Sequence, residues 1–120
     1  MTDEIRAKAN GMELLFWGGH EFSQGSPLVY ELSINGESVG GEHFDPNPIA
    51  YRDSFLIARR AHGFLQYGFA IYWFDPQRRQ LKRVSRVKPF LSLRSAADGS
   101  AEAATKAYDD GDVRRISISV

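Results

Sequence analysis

Residues 54–60 read SFLIARR and residues 67–74 read YGFAIYWF, and these two short segments decide the fold. Most of their positions are apolar in succession, without the alternation of a strand that has one wet face. A strand that is covered by other structure on both faces needs this composition. The two segments are therefore predicted to be central, buried strands.

The sequence before these segments predicts a hairpin. Residues 28–34 alternate apolar and polar side chains, which is typical of a half-buried strand. Asn35-Gly36 follows at once and is the strongest short hairpin signal, because both central residues of that turn need a positive φ. The return strand is then expected at residues 37–42, and a short apolar strand at residues 12–17 precedes the pair.

The sequence after the central segments predicts further hairpins. Asp75-Pro76 indicates a turn, because proline presets φ and aspartate bonds its own backbone. The return strand is residues 79–86, although a helix over 76–88 capped by Asp75 is an alternative. A strand at 90–94 and turns at Asp98-Gly99 and Asp110-Gly111 follow, with a helix at 100–108 as a second alternative.

These elements predict an all-β protein. Eight to nine short strands joined by hairpins are typical of an antiparallel sandwich or a partly open barrel. Two independent domains would leave about 60 residues each, which is marginal, so we expect a single domain over residues 1–120. Residues 1–11 are polar and are expected to be loosely ordered.

The composition excludes several classes of protein. The chain has no cysteine, which excludes disulfides and thiolate metal sites. The N-terminus has no apolar signal region, and no apolar run approaches the length of about 18 residues that a membrane span needs. We expect a cytoplasmic protein that uses no cofactor and does not contact a membrane.

A repeated motif raises the question of a metal site. GGHEF at 18–22 and GGEHFDP at 40–46 offer possible ligands: His20, Glu21, Glu42, His43 and Asp45. A small metal-dependent enzyme using His20 and His43 is one hypothesis. We prefer a role in turns and bulges, because paired glycines supply positive φ and adjacent side chains of a strand point to opposite faces. No nucleophile or phosphate-binding motif is present, so the sequence predicts a protein that is not an enzyme and holds no metal.

The charges are balanced overall but unevenly distributed. Residues 1–50 carry eight acids and two bases (−6), residues 51–96 carry ten bases and two acids (+8), and residues 97–120 carry five acids and three bases (−2). One interpretation is that acidic and basic strands pair across the sheets. The other is that the basic segment is a binding surface.

The basic segment 59–94 is the most distinctive feature of the sequence. Its bases are interleaved with Phe64, Tyr67, Tyr72, Trp73 and Phe90. Arginine and aromatic residues are the preferred anchors of protein interfaces, and they also bind single-stranded nucleic acid. We expect a non-enzymatic protein-binding module that neutralises a partner with an acidic surface patch, as a small bacterial immunity or antitoxin protein neutralises its target. A nucleic-acid-binding β domain that uses residues 59–94 is the alternative. The predicted contact residues are Arg59, Arg60, Trp73, Arg78, Arg79, Lys82 and Arg86, with Arg78 and Arg79 at the exposed end of a hairpin.

Overall fold

A computed structural model describes residues 4–40, 43–63, 67–107 and 111–120, and within them the chain forms eleven strands and no helix. The strands are β1 (Ile5–Ala9), β2 (Met12–Glu21), β3 (Leu28–Ile34), β4 (Glu37–Ser38), β5 (Ile49–Tyr51), β6 (Ser54–His62), β7 (Tyr67–Asp75), β8 (Gln80–Arg83), β9 (Ser92–Ala97), β10 (Ser100–Ala104) and β11 (Val113–Ser117). The prediction of an all-β, sandwich-like protein is confirmed.

The strands form three antiparallel sheets. The N-terminal sheet has the order β1-β2-β3-β4, the central sheet β5-β6-β7-β8, and the C-terminal sheet β11-β10-β9. The described residues contain two strands more than the upper estimate from the sequence, because β1 and β5 were not expected. β1 lies within the segment that was expected to be loosely ordered, and it pairs with β2 from Ile5↔Phe16 to Ala9↔Met12.

The central sheet separates two hydrophobic cores. Phe55, Ile57 and Phe74 pack against the N-terminal sheet, where Phe16 and Leu32 are buried. On the other side lie Leu56, Ala58, Phe69 and Ile71, which pack with the C-terminal sheet residues Leu93, Ala101, Ala103 and Ile116. Alternate residues of β6 and β7 thus enter different cores. The prediction that both segments are central strands covered on two faces is confirmed.

A short stretch around Phe44 joins the N-terminal sheet to the central sheet. The backbone of Phe44 exchanges two hydrogen bonds with Tyr30 of β3, at 2.9 and 2.8 Å. On its other side the amide of Asp45 donates to the carbonyl of Ala58, and the amide of Arg60 donates to that of His43. The side chain of Phe44 is fully buried in the core between the two sheets. The two sheets are therefore connected by hydrogen bonds as well as by packing.

The predicted turns are found where they fall on described residues. Asn35 and Gly36 have φ of 49° and 84°, as the hairpin between β3 and β4 requires. Asp75 accepts hydrogen bonds from the amides of Gln77 and Arg78, and β7 pairs with β8. The hairpin at 75–80 is thus confirmed over the helical alternative.

The alternative of a helix over residues 100–108 is also wrong. Residues 100–104 form β10, and the turn at Asp98-Gly99 joins it to β9, which begins two residues later than predicted. Glu42 of the expected return strand and Asp110 of the last predicted turn lie outside the described residues.

The segment after β8 departs from the regular hydrogen-bonding pattern between β7 and β8. Val84 still donates to the carbonyl of Ile71, but the amide of Ile71 bonds to the hydroxyl of Ser85 at 2.8 Å instead of to backbone. The predicted strand 79–86 therefore ends at Arg83. Strand alternation over 79–86 would put Val84 on one outward face with Lys82 and Arg86, but Val84 is buried in the core. The irregular backbone places Arg86 on the surface, away from β7.

The same segment returns to β7 at Lys88, which exchanges two backbone hydrogen bonds with Phe69 at 2.7 and 2.8 Å. Gly68 allows this approach. A Cβ atom at Gly68 would overlap the carbonyl oxygen of Lys88 and lie 2.7 Å from Cγ1 of Val87. The course of residues 84–88 therefore depends on the absence of a side chain at position 68.

One carboxylate, that of Asp45, is buried beside Ser92 of β9. Asp45 accepts hydrogen bonds from Asn47 at 3.0 Å and from the hydroxyl of Ser92 at 3.1 Å. Burial raises the pKa of Asp45, and this effect outweighs the two hydrogen bonds and the charge of Arg94, which lower it. The folded protein therefore holds the proton of Asp45 to a higher pH than the unfolded chain does.

This pKa difference predicts a pH dependence of stability. The contribution of Asp45 is most favourable at low pH and is lost as the pH rises from about 3.8 through the folded-state pKa. Relative to Asp45→Asn, the wild-type protein should therefore lose free energy of unfolding as the pH rises from about 4 through the folded-state pKa of Asp45. Urea unfolding of both proteins across this range measures the difference, with the exposed Asp53→Asn as a control. If the difference in free energy of unfolding between the two proteins stays constant, or grows in favour of the wild type as the pH rises, the raised pKa of Asp45 would be contradicted.

Candidate functional site

A groove of about 860 Å³ lies between residues 83–88 and the edge of β11. Its volume falls within the range of about 300–1,000 Å³ that is typical of ligand clefts. The buried side chains of Val84, Ile116 and Ile118 contribute its apolar lining. The remaining lining residues are bases and serines: Arg83, Ser85, Arg86, Lys88, Arg115, Ser117 and Ser119.

The charge of this basic groove is of one sign. Arg83, Arg86, Lys88 and Arg115 contribute four positive charges, and no acidic residue is among the lining residues. Within the part of the chain that the structure describes, none of the four has a carboxylate within 4.0 Å. Glu102 stands opposite Arg115 in the register of β10 and β11, yet the two side chains form no ion pair. The groove therefore concentrates unmatched positive charge beside apolar surface.

The β11 side of the basic groove is an open sheet edge. β11 pairs on one side with β10, where the amide of Ile118 donates to the carbonyl of Gly99. The amide of Ser119 points the other way and donates to the carbonyl of Val84 at 2.9 Å. Backbone groups of successive residues in an antiparallel strand point to alternate sides, so those of Arg115 and Ser117 also face the groove. Among the described residues no backbone partner meets them.

A second cationic region lies next to the groove, at the end of β6. The guanidinium carbon of Arg59 lies 4.7 Å from the ring centre of Phe44 and 5.7 Å from that of Tyr72. The guanidinium carbon of Arg60 lies 4.3 Å from the ring centre of Phe22 and 5.5 Å from that of Tyr67. Aromatic faces attract and orient such cations. Both side chains are therefore held in place although no described carboxylate lies within 4.0 Å of them.

Arg83 connects the two cationic regions. It lines the basic groove, and its Nη1 donates to the carbonyl of His62 at 3.2 Å. His62 itself packs edge-on against Tyr67 at 4.7 Å between ring centres. Both residues line a cleft with Arg59 and Arg60, which we call the aromatic cleft. The positive surface is thus continuous from β6 to β11.

The residues predicted to contact a partner are spread over several pockets of the surface, one of which brings Arg59 and Arg79 together beside Glu37. Arg78 and Arg79 lie in the turn between β7 and β8, and Lys82 is exposed on β8. Arg79 forms an ion pair with Glu37 at 2.8 Å, so part of the charge at this end of the hairpin is already matched. Arg86 lies in the basic groove, whereas Arg59 and Arg60 lie in the aromatic cleft.

Trp73 is half-buried and packs against the core between the central and C-terminal sheets rather than standing on the surface. Its indole Nε1 is buried and meets no acceptor among the described residues. Phe64, another aromatic residue of the basic segment, lies outside the described residues.

Internal charge pairing accounts for little of the basic segment. Arg79 is joined to Glu37, but seven other bases of the segment have no carboxylate within 4.0 Å among the residues described. These seven are Arg59, Arg60, Arg78, Lys82, Arg83, Arg86 and Lys88. The asymmetry of charge in the sequence therefore persists as an asymmetry of the folded surface.

The repeated glycine motif does converge in space. The rings of His20 and His43 meet edge to face with 5.2 Å between their centres. Gly18 has φ of 66° and lies where the register of β2 and β3 shifts, so the predicted bulge is confirmed for the first copy. The nearby carboxylates have other partners, since Glu21 accepts from the amide of Gly25 and Asp45 bonds to Asn47 and Ser92. The described residues contain no group of three metal-ligand side chains, and Glu42 lies outside them.

Sequence reasoning did not name Arg83, Lys88 or Arg115 as contact residues, and of these three only Arg115 lies outside the basic segment. It belongs to the last 24 residues, whose net charge is negative, and it lies far along the chain from the basic segment. The alternation of Ile116 and Ile118 with polar residues was a usable signal, because it places Arg115, Ser117 and Ser119 together on the opposite face.

No family model matches this chain, and no curated protein or solved structure is significantly similar to it. A search of the described residues finds no helix that is both long enough and apolar enough to span a membrane. Function must therefore be argued from the basic groove itself.

Proposed function

We propose that this protein is a non-enzymatic, cytoplasmic protein-binding module whose partner presents an acidic surface. The observation that carries this proposal is the basic groove, where four bases without described ion-pair partners surround an apolar lining. The protein acts by binding to its partner. Such binding can neutralise the partner, as immunity and antitoxin proteins neutralise their targets.

The composition of the groove suits a protein partner. Buried Val84, Ile116 and Ile118 offer apolar contacts, and arginine is among the residues that most often dominate binding energy. Complementary charge speeds association and fixes orientation, while misaligned like charges reject other partners. Arg86, predicted from the sequence, is central to this surface, and Arg83, Lys88 and Arg115 join it.

Charge reversal within the groove tests this proposal. Arg86→Glu combined with Arg115→Glu should weaken binding of the purified partner by about 100-fold or more, because two attractive contacts become repulsive. Both side chains are exposed, so the melting temperature should change little. The partner is first recovered on immobilised wild-type protein, identified and purified, and its affinity is then measured by calorimetry.

The matched control is Arg6→Glu with Lys8→Glu, which changes the net charge equally on β1. These two bases already have the neighbouring acids Glu4 and Glu13. The control should bind within about threefold of wild type. Equal losses in both double variants would indicate a general charge effect and would contradict a specific groove.

Binding of single-stranded nucleic acid is a second candidate function, and the aromatic cleft favours it. Arg59 and Arg60 are held on aromatic rings, and Tyr67 beside them is 63% exposed, which is an arrangement suited to phosphate contact and base stacking. Fluorescence anisotropy with a labelled oligothymidine at 50 and 200 mM salt separates the two functions. Micromolar binding that collapses with salt, and is lost in Tyr67→Ala, would support nucleic-acid recognition over our proposal.

A further inference from the structure

We propose that the basic groove binds an extended acidic segment of the partner, which adds to the C-terminal sheet as a strand beside β11. This inference rests on the proposed function and specifies how the partner is held. It assigns the backbone of Arg115 and Ser117 a direct role in binding, and it defines the chemistry of the partner segment.

The open edge supplies the main-chain contacts. Arg115 and Ser117 direct their amide and carbonyl groups into the groove, where no described backbone group meets them. An added strand at the usual spacing of about 4.8 Å would satisfy these groups, and strand addition of this kind is a common mode of peptide recognition. The hydrogen bond from Ser119 to Val84 closes the groove beyond this edge and limits the length of β11 that is open.

The two faces of the sheet then dictate the sequence of the added strand. Ile116 and Ile118 point into the core between the central and C-terminal sheets, beside Val84, whereas Arg115 and Ser117 point to the outer face. Side chains of an added strand alternate in the same way. One set would meet apolar surface and the other would meet Arg115 and its neighbouring bases. The expected partner segment therefore alternates apolar and acidic residues.

The charge of the edge argues against a second copy of this chain as the occupant. Pairing β11 with β11 of another molecule would bring Arg114 and Arg115 close to the same residues of the second copy. Like charges in opposing strand positions are destabilising, and charged edge strands resist self-association for this reason. The same charges attract an acidic strand.

A designed peptide tests the mode of binding. The probe is a fluorescein-labelled eight-residue peptide of alternating Glu and Val, titrated to about 1 mM by fluorescence anisotropy. Two further peptides carry backbone N-methyl groups at every Glu or at every Val. Successive amides of a strand point to opposite sides, so each peptide has one edge blocked and the other free. Methylated Glu blocks an antiparallel addition and methylated Val blocks a parallel one.

Strand addition predicts that one methylated peptide loses affinity by about tenfold or more, while the other binds nearly as the parent does. The parent peptide should also slow hydrogen exchange at the amides of Arg115 and Ser117. A Lys-Val peptide of the same length should not bind, and Arg86→Glu with Arg115→Glu should abolish binding of the Glu-Val peptide.

The remaining outcomes separate this inference from the proposed function. If both methylated peptides bind as the parent does, or if amide exchange at Arg115 and Ser117 is unchanged, strand addition is overturned and acidic recognition stands. Strand addition is also overturned, and acidic recognition stands, if no peptide binds while Arg86→Glu with Arg115→Glu still abolishes binding of the protein partner. If the peptide binds equally to wild type and to the groove variant, both proposals are overturned.

Discussion

Replacing Gly68 with alanine is expected to lower the free energy of unfolding by about 3 kcal/mol. The new Cβ atom would overlap the carbonyl oxygen of Lys88 and would approach Cγ1 of Val87 at 2.7 Å. The first of these atoms is backbone and cannot move by a rotamer change. The strand β7 and residues 87–88 must separate, which weakens the two hydrogen bonds between Phe69 and Lys88. Urea unfolding measures the loss.

The control for this substitution is Gly99→Ala. Gly99 has φ of 80°, but a Cβ atom there meets nothing within 4 Å. Only the backbone conformation is strained, at a cost of about 1–2 kcal/mol. If both variants lose the same stability, close packing at Gly68 is not what positions residues 84–88. If packing is responsible, Gly68→Ala should also weaken binding in the basic groove, because Lys88 lines it.

Replacing Phe44 with alanine is expected to cost about 3–5 kcal/mol, the largest effect of any substitution considered. Its ring is 0% exposed and lies in the core between the N-terminal and central sheets. Truncation would leave a cavity at the stretch that joins these sheets through hydrogen bonds to Tyr30 and Ala58. It would also remove the ring on which Arg59 rests. Thermal and urea unfolding both measure the effect.

Leu28→Ala is the control, since Leu28 is an apolar residue of β3 in the N-terminal sheet and is 42% exposed. Its truncation should change stability by about 0.5 kcal/mol or less. A loss below about 1 kcal/mol in Phe44→Ala would mean that the sheets are held together elsewhere, and that the stretch around Phe44 is a loop laid over an independent core.

The sequence contains enough information for the class of fold and for its centre. Consecutive apolar residues at 54–60 and 67–74 identify strands with two covered faces, and Asn35-Gly36 and Asp75 identify turns by their local chemistry. β1 escaped prediction because two of its three inward-facing residues, Ala7 and Ala9, are small and give a weak apolar signal. β5 escaped because it has only three residues. Both are added to longer neighbours by hairpins, which is a tertiary effect that a single segment does not encode.

The basic groove was predictable only in part. Arg86 was identified from charge density along the chain, and that signal is local. The join between residues 83–88 and β11 depends on contacts such as the hydrogen bond from Ser119 to Val84, which links residues 35 positions apart. The open edge at Arg115 and Ser117 follows from the order of strands in the sheet. Strand order is decided by packing of the whole chain, so this edge was beyond the reach of local patterns.

The position of the central sheet between two cores has a consequence for synthesis on the ribosome. The N-terminal sheet is complete in sequence by residue 38, yet its buried face packs against Phe55, Ile57 and Phe74. A nascent chain that ends before β7 therefore exposes Phe16 and Leu32 to water. The core between the central and C-terminal sheets needs Ile116 and Ile118, which are synthesised after its other buried residues. The apolar faces of both outer sheets thus stay uncovered until strands distant in the sequence have been synthesised, so we expect neither outer sheet to fold alone.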